Sequence, residues 1–378
     1  MIFKVTMDKF IKPDYDNSVM NISSTLAEYF NVPSDNAVLP RLKDALKNNS
    51  YDKIVFAVFD GLGLHPMRKN LSPDDFLMKN VAQTLTSTFP STTTNATTSI
   101  NTDKQPLEHG WFGWTVYFDK AGCVTELFRR TNAFSGEKLP DDFVYPVKEH
   151  DDYWFDYAKT DYVVSSVMPS YCKGAKGGCV RATTVKEVID GIHGEISKPG
   201  KRFVFAYCPE PDATMHEFGV TSEQAKNVIN EISQGLSRLQ TESLNTLFIV
   251  SADHGQTDVT GTVDFYKDQE LNSLLYAPPY LEPRATAFKL KRGKKRIFKK
   301  IFTERYGEDF ALFDSKNMIR QGYFGQCGEY GYLLGDYVAV CKTGKLLVTK
   351  PNDFQFKGHH ASLKEEMLVP LILFSSNL

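Results

Sequence analysis

Aspartate and histidine residues stand beside short apolar runs at several points of this sequence. Asp60 and Gly61 follow the run IVFAVF, and Asp253 and His254 follow LFIVSA. Carboxylate and imidazole groups are suitable ligands for Zn²⁺ or Mn²⁺. A lone aspartate at a strand end is as often a turn former as a ligand, so the chemistry depends on how many such groups converge.

Two more segments add the same residue types. In EPDATMHEFG, Asp212 and His216 lie four positions apart and share one face if the segment is helical, with Glu210 just before them. His359 and His360 precede the final apolar run. Acidic groups buried at strand ends are tolerated when metals or paired charges compensate them, so the combined set predicts a metal site.

A run of hydroxyl side chains, FPSTTTNATTSI at residues 89–100, precedes a predicted helix start. Such hydroxyls often cap a helix N-terminus, and this structural role is one interpretation. The same position suits catalysis, because free N–H groups and the positive end of the helix dipole ease deprotonation of a threonine and hold a phosphate beside it. The run therefore indicates a candidate nucleophile as well as a cap.

Alternating strands and helices are predicted to position these groups. Apolar runs at 54–59, 203–207 and 247–250 indicate buried strands, and helix-like apolar spacing covers 184–192 and 222–239. This alternation predicts an α/β fold with a doubly wound, mostly parallel sheet flanked by helices. In such sheets ligands bind at the carboxyl ends of the strands, where the acidic residues fall.

Three regions are expected along the chain. Residues 1–50 are predicted to form a helical lead-in that packs on the core, and residues 51–258 and 354–378 to form the metal-binding α/β hydrolase core. Residues 259–353 differ in texture, with PPYLEPR and Gly/Tyr-rich stretches, and are predicted to be an inserted α+β cap subdomain. The chain then returns to the core with a last strand at 367–374.

The overall composition excludes some classes of partner. Lys+Arg 44 against Asp+Glu 46 give a net charge of −2, so no global field favours a nucleic acid polymer or a membrane. The basic run at 289–300 is interpreted as a solvated hairpin or helix face. The first residues lack the apolar core of a signal peptide and no later stretch could span a bilayer, so a cytoplasmic location is expected.

Cysteines and tryptophans are assigned structural roles. Six cysteines are too few for a disulfide framework in a chain of 378 residues. Cys172 and Cys179 form the one close pair, and free thiols are predicted because a zinc clip prefers tighter CxxC spacing. Trp111 and Trp114 are interpreted as core packing rather than as platforms for a substrate ring.

Taken in order along most of the chain, these motifs resemble the type I phosphodiesterase/nucleotide pyrophosphatase branch of the alkaline phosphatase superfamily. They look closest to its bacterial members known as alkaline phosphatase family proteins. The resemblance rests on the combination of motifs, since no single motif is specific. The motifs are the Asp-Gly at Asp60, FPSTTT with Ser99-Ile100 and Pro106…His109-Gly110, EPD…H at 210–216, ADHG at 252–255, and the terminal GHHASL…EEM…VPL.

The resemblance implies two divalent metal ions, with Zn²⁺ expected and Mn²⁺ as the alternative. His360 is favoured as the terminal ligand because His-Ala-Ser-Leu echoes the family's His-Gly-Ser-Leu. Counting back from Met367 favours His359 instead. The implied ligands fall into two sets: Asp212, His216 and a terminal histidine for one ion, and Asp60, Asp253 and His254 for the other.

The nucleophile position of the family falls on Thr93, which would also contact a metal; Thr92 and Thr94 are the alternatives. The implied reaction is in-line displacement at phosphorus through a phosphothreonine, on a small phosphate ester or phosphodiester. Thr94, Asn95 and Ala96 occupy the places of the Phe-Pro-Asn found in eukaryotic nucleotide pyrophosphatases, so Asn95 is the candidate substitute for their asparagine.

Related chemistries remain as alternatives to the phosphodiesterase. They are a phosphomonoesterase, a phosphonate hydrolase, and a non-catalytic binding homologue that keeps the fold. A sulfatase is not expected, because the Cys/Ser-x-Pro-x-Arg signature is absent.

Overall fold

A computed structural model describes residues 10–351 and 355–376. The predictions for residues 1–9, at the start of the lead-in, and for the boundary at 353/354 lie outside the described residues. The strands of the described part are β1 (Lys53–Phe59), β2 (Val81–Thr86), β3 (Thr115–Phe118), β4 (Cys123–Glu126), β5 (Thr131–Asn132), β6 (Val163–Met168), β7 (Cys179–Arg181), β8 (Arg202–Cys208), β9 (Thr246–Ser251), β10 (Thr257–Asp258), β11 (Thr262–Asp264), β12 (Tyr280–Glu282), β13 (Ala285–Phe288), β14 (Phe310–Asp314), β15 (Tyr337–Cys341), β16 (Leu346–Val348), β17 (Gly358–His359) and β18 (Leu368–Ser375).

The α-helices of the same residues are α1 (Met20–Tyr29), α2 (Pro40–Asn48), α3 (Leu64–Asn70), α4 (Phe76–Lys79), α5 (Thr93–Thr102), α6 (Pro106–His109), α7 (Val185–Ile196), α8 (Asp212–Phe218), α9 (Glu223–Glu242), α10 (Gln269–Ser273), α11 (Lys295–Tyr306), α12 (Ser315–Arg320) and α13 (Lys364–Met367). Short 3₁₀ helices cover Trp154–Tyr157, Phe265–Lys267 and Tyr330–Leu334.

The main sheet has seven strands in the order β2-β18-β9-β1-β8-β6-β7. β1 pairs in parallel with β8 and β9, and β6 pairs in parallel with β8 and β7. Every residue of β1 and β9 is buried, as expected for central strands covered on both faces. The predicted α/β fold with a doubly wound, mostly parallel sheet is therefore confirmed.

The last strand of the core departs from the parallel pattern. The run predicted at 367–374 forms β18, which is antiparallel to both of its neighbours, β9 and β2. The short α13 ends at Met367, directly before β18 begins, so the chain enters this strand from the carboxyl ends of the parallel strands. This direction brings His359 and His360, which precede β18, to the edge of the sheet where the acidic segments also lie.

The flanking helices match the predicted apolar spacing. α7 and α9 pack against each other and correspond to the helices expected at 184–192 and 222–239. α7 begins with a capping box, in which Thr184 Oγ1 accepts from the backbone N–H of Glu187 and the Glu187 carboxylate accepts from that of Thr184. α1 braces α5, because Ser23 Oγ donates to Ile100 O over 2.7 Å.

A second sheet of seven strands is antiparallel throughout, in the order β14-β15-β13-β12-β3-β4-β5. Its strands come from two stretches of the chain, 115–132 and 280–341. The first stretch lies within the range predicted for the core, so this sheet combines segments from both predicted regions. The limits of the cap subdomain stay a prediction.

The basic run contributes to α11 of the second region. Phe298, Ile301 and Phe302 are buried on the inner face of this helix, whereas Lys299 and Lys300 are exposed. None of the described helices has the length and apolar character required to cross a bilayer. All six cysteines are free thiols.

A buried ion pair joins the second sheet to the core. Arg284, between β12 and β13, pairs with Glu366 of α13, and both side chains are fully buried. Arg284 also donates to His359 O over 2.7 Å and to Gly344 O over 2.6 Å. The Glu366 carboxylate accepts from the backbone N–H groups of Ser362 and Leu363 as well. This pair therefore holds the segment that carries the terminal histidines.

We expect Glu366→Ala to lower the free energy of unfolding by about 3–5 kcal/mol, because it leaves the Arg284 guanidinium buried without its carboxylate. Glu365→Ala is the matched control, since Glu365 is exposed and should change stability by less than about 0.5 kcal/mol. Urea unfolding followed by circular dichroism measures both. Equal stability of the two variants would contradict the assigned role of the pair.

Candidate metal centre

The candidate ligands gather at the carboxyl ends of three adjacent strands, β9, β1 and β8. Asp60 follows β1, Asp253 and His254 follow β9, and Asp212 and His216 lie on α8 after β8. Parallel strands bring their carboxyl ends to one edge, which is why segments far apart in the sequence meet here. His359 in β17 and His360 directly after it complete the group from the chain that leads into β18.

The first cluster consists of Asp60, Asp253 and His254, all buried. His254 Nε2 lies 3.2 Å from Asp60 Oδ1 and 3.6 Å from Asp253 Oδ2. His254 Nδ1 lies 2.9 Å from Gly255 O, which orients the ring so that Nε2 faces the carboxylates. The Tyr207 hydroxyl donates to Asp60 Oδ2 over 2.5 Å.

The backbone conformation of Gly61 explains why a glycine follows Asp60. Its φ is +72°, in the left-handed region, and an added Cβ would lie 3.0 Å from Cβ of Asp212. Its backbone N–H donates to Asp253 Oδ1 over 3.1 Å. Glycine thus permits the close approach of the segments that carry Asp60 and Asp212.

The residues implied for the other ion, Asp212, His216 and His360, also lie close together and are called the second cluster. His216 Nε2 lies 3.3 Å from Asp212 Oδ2, and His360 Nε2 lies 3.9 Å from Asp212 Oδ1. The Nδ1 atoms of the two histidines lie 2.8 Å from Gly358 O and 2.9 Å from Ser91 O respectively. Backbone carbonyls therefore fix both rings with Nε2 directed toward Asp212.

His359 lies beside this cluster as a further imidazole. Its ring centroid is 5.2 Å from that of His216 and 4.9 Å from that of His360. Both of its ring nitrogens are buried without a hydrogen-bond partner in the described part of the chain. His360 contacts the predicted partner Asp212, and the choice of His360 over His359 as ligand stays a prediction.

Burial and close contact between carboxylates and imidazoles set the electrostatics of the site. Burial, reinforced by the neighbouring Asp60, raises the pKa of Asp253 to about 7. Burial and then Asp212 raise the pKa of Asp60. Burial by itself would lower the pKa of His254, but Asp253 and Asp60 raise it to about 10. Bound cations would favour the ionised carboxylates and the neutral imidazole.

The donor set fits divalent metal ions. Asp253 Oδ2 is buried and has no hydrogen-bond partner among the described residues, so it is available as a ligand atom. Carboxylate oxygen and imidazole nitrogen are the donors that Zn²⁺ and Mn²⁺ accept. Three groups have ligand atoms within 4.8 Å of one another: Asp60, Asp253 and His254; Asp212, His254 and His360; and His216, His359 and His360.

Thr93 lies at the start of α5, next to the first cluster. Its Oγ1 is 3.1 Å from His254 Nε2 and 3.4 Å from each carboxylate oxygen of Asp60. Thr92 is the extended N-cap residue before the helix, although its hydroxyl makes no capping bond. The alternative Thr94 is fully buried, and its hydroxyl has no partner among the described residues.

Asn95 does not take the place of the missing asparagine. Its side chain is fully buried within α5, and its Nδ2 donates to Pro90 O over 3.1 Å. Neither of the cavities next to Thr93 is lined by it. The helical geometry turns this position away from the site, so the expected substitute is wrong.

Two cavities meet at Thr93. Cavity A has a volume of about 360 Å³ and cavity B of about 520 Å³. The residues that line both are Thr93, Trp114, Arg129 and Asp212. Cavity A is further lined by charged and imidazole groups and by rings, namely Glu126, His216, Glu282, Lys350, His359, His360, Phe134, Tyr280 and Phe356. Cavity B is further lined by rings, namely Phe128, His150, Tyr153, Tyr171, Phe205 and Tyr207.

The two tryptophans differ in environment. Trp111 is 3% exposed and packs in the apolar core of the second sheet, as predicted. Trp114 is 37% exposed and lines both cavities, so its assignment to core packing is wrong. Trp114 directly precedes β3, an internal strand of the second sheet, and this sheet brings its ring to the site.

Three residues at the site were not identified from the sequence. Tyr207 lies in β8, Gln256 donates through Nε2 to Asp212 Oδ1 over 2.7 Å, and Glu282 ends β12. Gln256 follows the Asp-His-Gly motif closely enough to have been included with it. In the sequence, Tyr207 resembles an ordinary strand residue, and Glu282 is part of a loop-like PPYLEPR stretch. Nothing in the sequence therefore indicated that either residue lies at the site.

Comparison with known proteins relates this site to a family. The family model described as type I phosphodiesterase/nucleotide pyrophosphatase matches residues 59–362. No curated protein sequence matches the chain.

Solved structures share the fold at low identity. Murine ectonucleotide pyrophosphatase/phosphodiesterase 5, as an inactive form in complex with AMP, has 17% identity and a TM-score of 0.62, covering 86% of this chain and 91% of that one. Phosphonoacetate hydrolase from Sinorhizobium meliloti 1021 in complex with phosphonoacetate has 14% identity and a TM-score of 0.63, covering 86% and 90%. The human counterpart of the murine protein has 15% identity and a TM-score of 0.59, covering 86% and 91%.

We expect two metal ions per chain, and about one in each of Asp253→Ala and Asp212→Ala, because each substitution removes a ligand from one cluster. Elemental analysis of protein dialysed after metal loading measures the content. His193→Ala is the control, since this histidine lies on α7 with its side chain 41% exposed and pairs with Glu242. Full metal content in both aspartate variants would contradict the assignment.

The terminal ligand is decided by a second pair of variants. His360→Ala should lower the metal content, because His360 Nε2 faces Asp212, whereas His359→Ala should retain it. Isothermal titration with Zn²⁺ gives the stoichiometry of each variant. The reverse result would assign the ligand to His359.

Proposed function

This chain belongs to the type I phosphodiesterase/nucleotide pyrophosphatase family of phosphoester hydrolases, and from this premise we propose that it is a two-metal phosphodiesterase. Its substrates are small phosphodiesters or nucleotide-like pyrophosphates, and it acts through a phosphothreonine at Thr93. The position of Thr93 Oγ1, 3.1 Å from His254 Nε2 and 3.4 Å from Asp60, carries this proposal.

The metal ligands in this proposal are two sets of three side chains. When bound, the ions supply Lewis-acid activation of the hydroxyl and neutralisation of the charge on phosphorus-bound oxygens. Zn²⁺ suits the mixture of carboxylate and imidazole donors, with Mn²⁺ as the alternative. The sets are Asp60, Asp253 and His254, and Asp212, His216 and His360.

The protein's own groups orient the displacement. Thr93 Oγ1 bonds to phosphorus as the bond from phosphorus to the departing oxygen breaks, and water later cleaves the phosphothreonine and restores the hydroxyl. Thr93 is the first residue of α5, so the free N–H groups and the positive end of this helix stabilise negative charge on the phosphoryl oxygens. Hydrogen bonds from Tyr207 and Gln256 keep Asp60 and Asp212 oriented.

The shape of the site favours a diester over a monoester. Cavities A and B are lined by largely different residues, and both are lined by Thr93. A phosphorus centre attached to Thr93 therefore has space for two substituents. Cavity B is lined mainly by rings and suits a flat, aromatic substituent, whereas cavity A combines rings with charged groups and suits a substituent that carries a polar group. A monoester would leave one cavity unused.

Phosphonate hydrolysis is the second candidate. The phosphonoacetate hydrolase shares the fold with a TM-score of 0.63. Lys350 and Arg129 line cavity A and offer positive charge to an anionic substituent of such a substrate.

We expect Thr93→Ala to reduce turnover of an aryl phosphodiester by more than about 10³-fold, because the nucleophile is removed. Metal content should remain at the wild-type level, which separates loss of the nucleophile from loss of the site. Thr94→Val is the control: the Thr94 hydroxyl is buried without a partner, so this variant should keep near-normal turnover. Unchanged turnover in Thr93→Ala would refute the nucleophile, and no activity in any form of the protein would favour a binding homologue.

A substrate panel tests the class of ester. We expect kcat/KM for bis(4-nitrophenyl) phosphate to exceed that for 4-nitrophenyl phosphate by at least about tenfold, because the diester fills both cavities. Release of 4-nitrophenolate measures both reactions, and release of phosphate from phosphonoacetate tests the second candidate. A preference for the monoester would contradict the diesterase.

A further inference from the structure

Glu282 brings an acidic side chain from the second sheet to the nucleophile. It ends β12, is 5% exposed, and lines cavity A together with Thr93, His216 and His360. The residue before it, Leu281, has φ of 78°, a left-handed conformation that leucine rarely adopts. The turn at Leu281 directly precedes Glu282, whose carboxylate lies among the residues of the proposed reaction site.

One oxygen of this carboxylate has partners and the other has none. Oε1 accepts from Thr92 Oγ1 over 2.8 Å and from Trp114 N over 2.6 Å. Oε2 has no hydrogen bond to the described residues and is not fully buried, and Glu282 lines cavity A. A carboxylate oxygen in this state retains its capacity to accept a hydrogen bond from a ligand.

Two cationic side chains also line cavity A, and each contacts a neighbouring group. Arg129 lies 3.3 Å from the Glu126 carboxylate, and Lys350 Nζ donates to Ala133 O over 2.8 Å. Glu282 therefore differs from Glu126, since it has no lysine or arginine partner in the described part of the chain. Burial raises the pKa of Glu282 to about 7, which reflects the same lack of compensation.

We propose that Glu282 determines specificity: its Oε2 accepts a hydrogen bond from a hydroxyl or ammonium group on the ester arm that occupies cavity A. The preferred substrates are then small phosphodiesters in which one arm carries such a donor near its end. Oε1 meanwhile fixes Thr92, the residue before the nucleophile, and Trp114, which lines both cavities. This inference rests on the proposed diesterase function.

The test compares two substrates that share a 4-nitrophenyl leaving group. One is 4-nitrophenyl 3-hydroxypropyl phosphate, and the other is 4-nitrophenyl butyl phosphate, whose arm is similar in length and has no donor. A hydrogen bond to a charged group predicts that wild-type kcat/KM favours the hydroxypropyl ester by about tenfold or more. Spontaneous release of 4-nitrophenolate, measured without protein, is subtracted for each.

Glu282→Gln tests whether this carboxylate is responsible. The amide oxygen can keep the bonds from Thr92 and Trp114, while the NH₂ group then faces the cavity and can only donate to the oxygen of the substrate hydroxyl, so a charge-assisted hydrogen bond is replaced by a weaker neutral one. The preference for the hydroxypropyl ester should fall by about threefold or more, mainly through its KM. Glu126→Gln is the matched control, because Glu126 lines the same cavity but is paired with Arg129; this variant should keep the wild-type preference.

Three outcomes overturn the inference. Equal kcat/KM for the two diesters in wild-type protein would refute it and leave the diesterase function standing. A Glu282→Gln variant that slows both esters equally with the preference intact would show that Glu282 only positions Thr92 and Trp114. No turnover of either ester by metal-loaded protein would refute the diesterase function and this inference with it.

Discussion

Three aspartates buried at one edge of the main sheet impose the constraint on which the other features of the site depend. Asp60, Asp212 and Asp253 are 4, 8 and 0% exposed, and their ion-pair partners within the described chain are histidines. Removing carboxylates from water costs several kcal/mol each unless opposite charge compensates them. The raised pKa values of Asp60 and Asp253 express that cost. Divalent cations would relieve it, and the same ions would supply the proposed chemistry.

The parallel topology makes this concentration of charge possible. β9, β1 and β8 are neighbours that run in one direction, so the residues following each strand arrive at the same place. The antiparallel β18 brings the terminal histidines to this edge from the opposite direction. Gly61 lets the segments carrying Asp60 and Asp212 approach more closely than a side chain would allow.

The second sheet forms the other wall of the site. Glu282 and Arg284 are separated by one residue, yet they act in different places. Glu282 contacts Thr92, the residue before Thr93, and Arg284 pairs with Glu366 next to the segment that carries His359 and His360. The sheet thereby links cavity A to the loops that carry the candidate ligands. Since these links join distant parts of the chain, substitutions in the second sheet are expected to act on the site without changing a candidate ligand.

The sequence by itself determined the α/β class, the central strands and the candidate ligands, because apolar runs have clear periodicity and the acidic motifs adjoin them. Thr93, predicted as the nucleophile from the family resemblance, lies beside the first cluster, and its role stays a proposal. Only the tertiary structure decided what depends on distant contacts. It turned Asn95 away within α5, brought Trp114 and Glu282 to the cavities, and placed β3, β4 and β5 in the second sheet. Local sequence patterns do not predict such long-range pairings. The side-chain direction and burial of these residues are set by strands that lie far away in the chain.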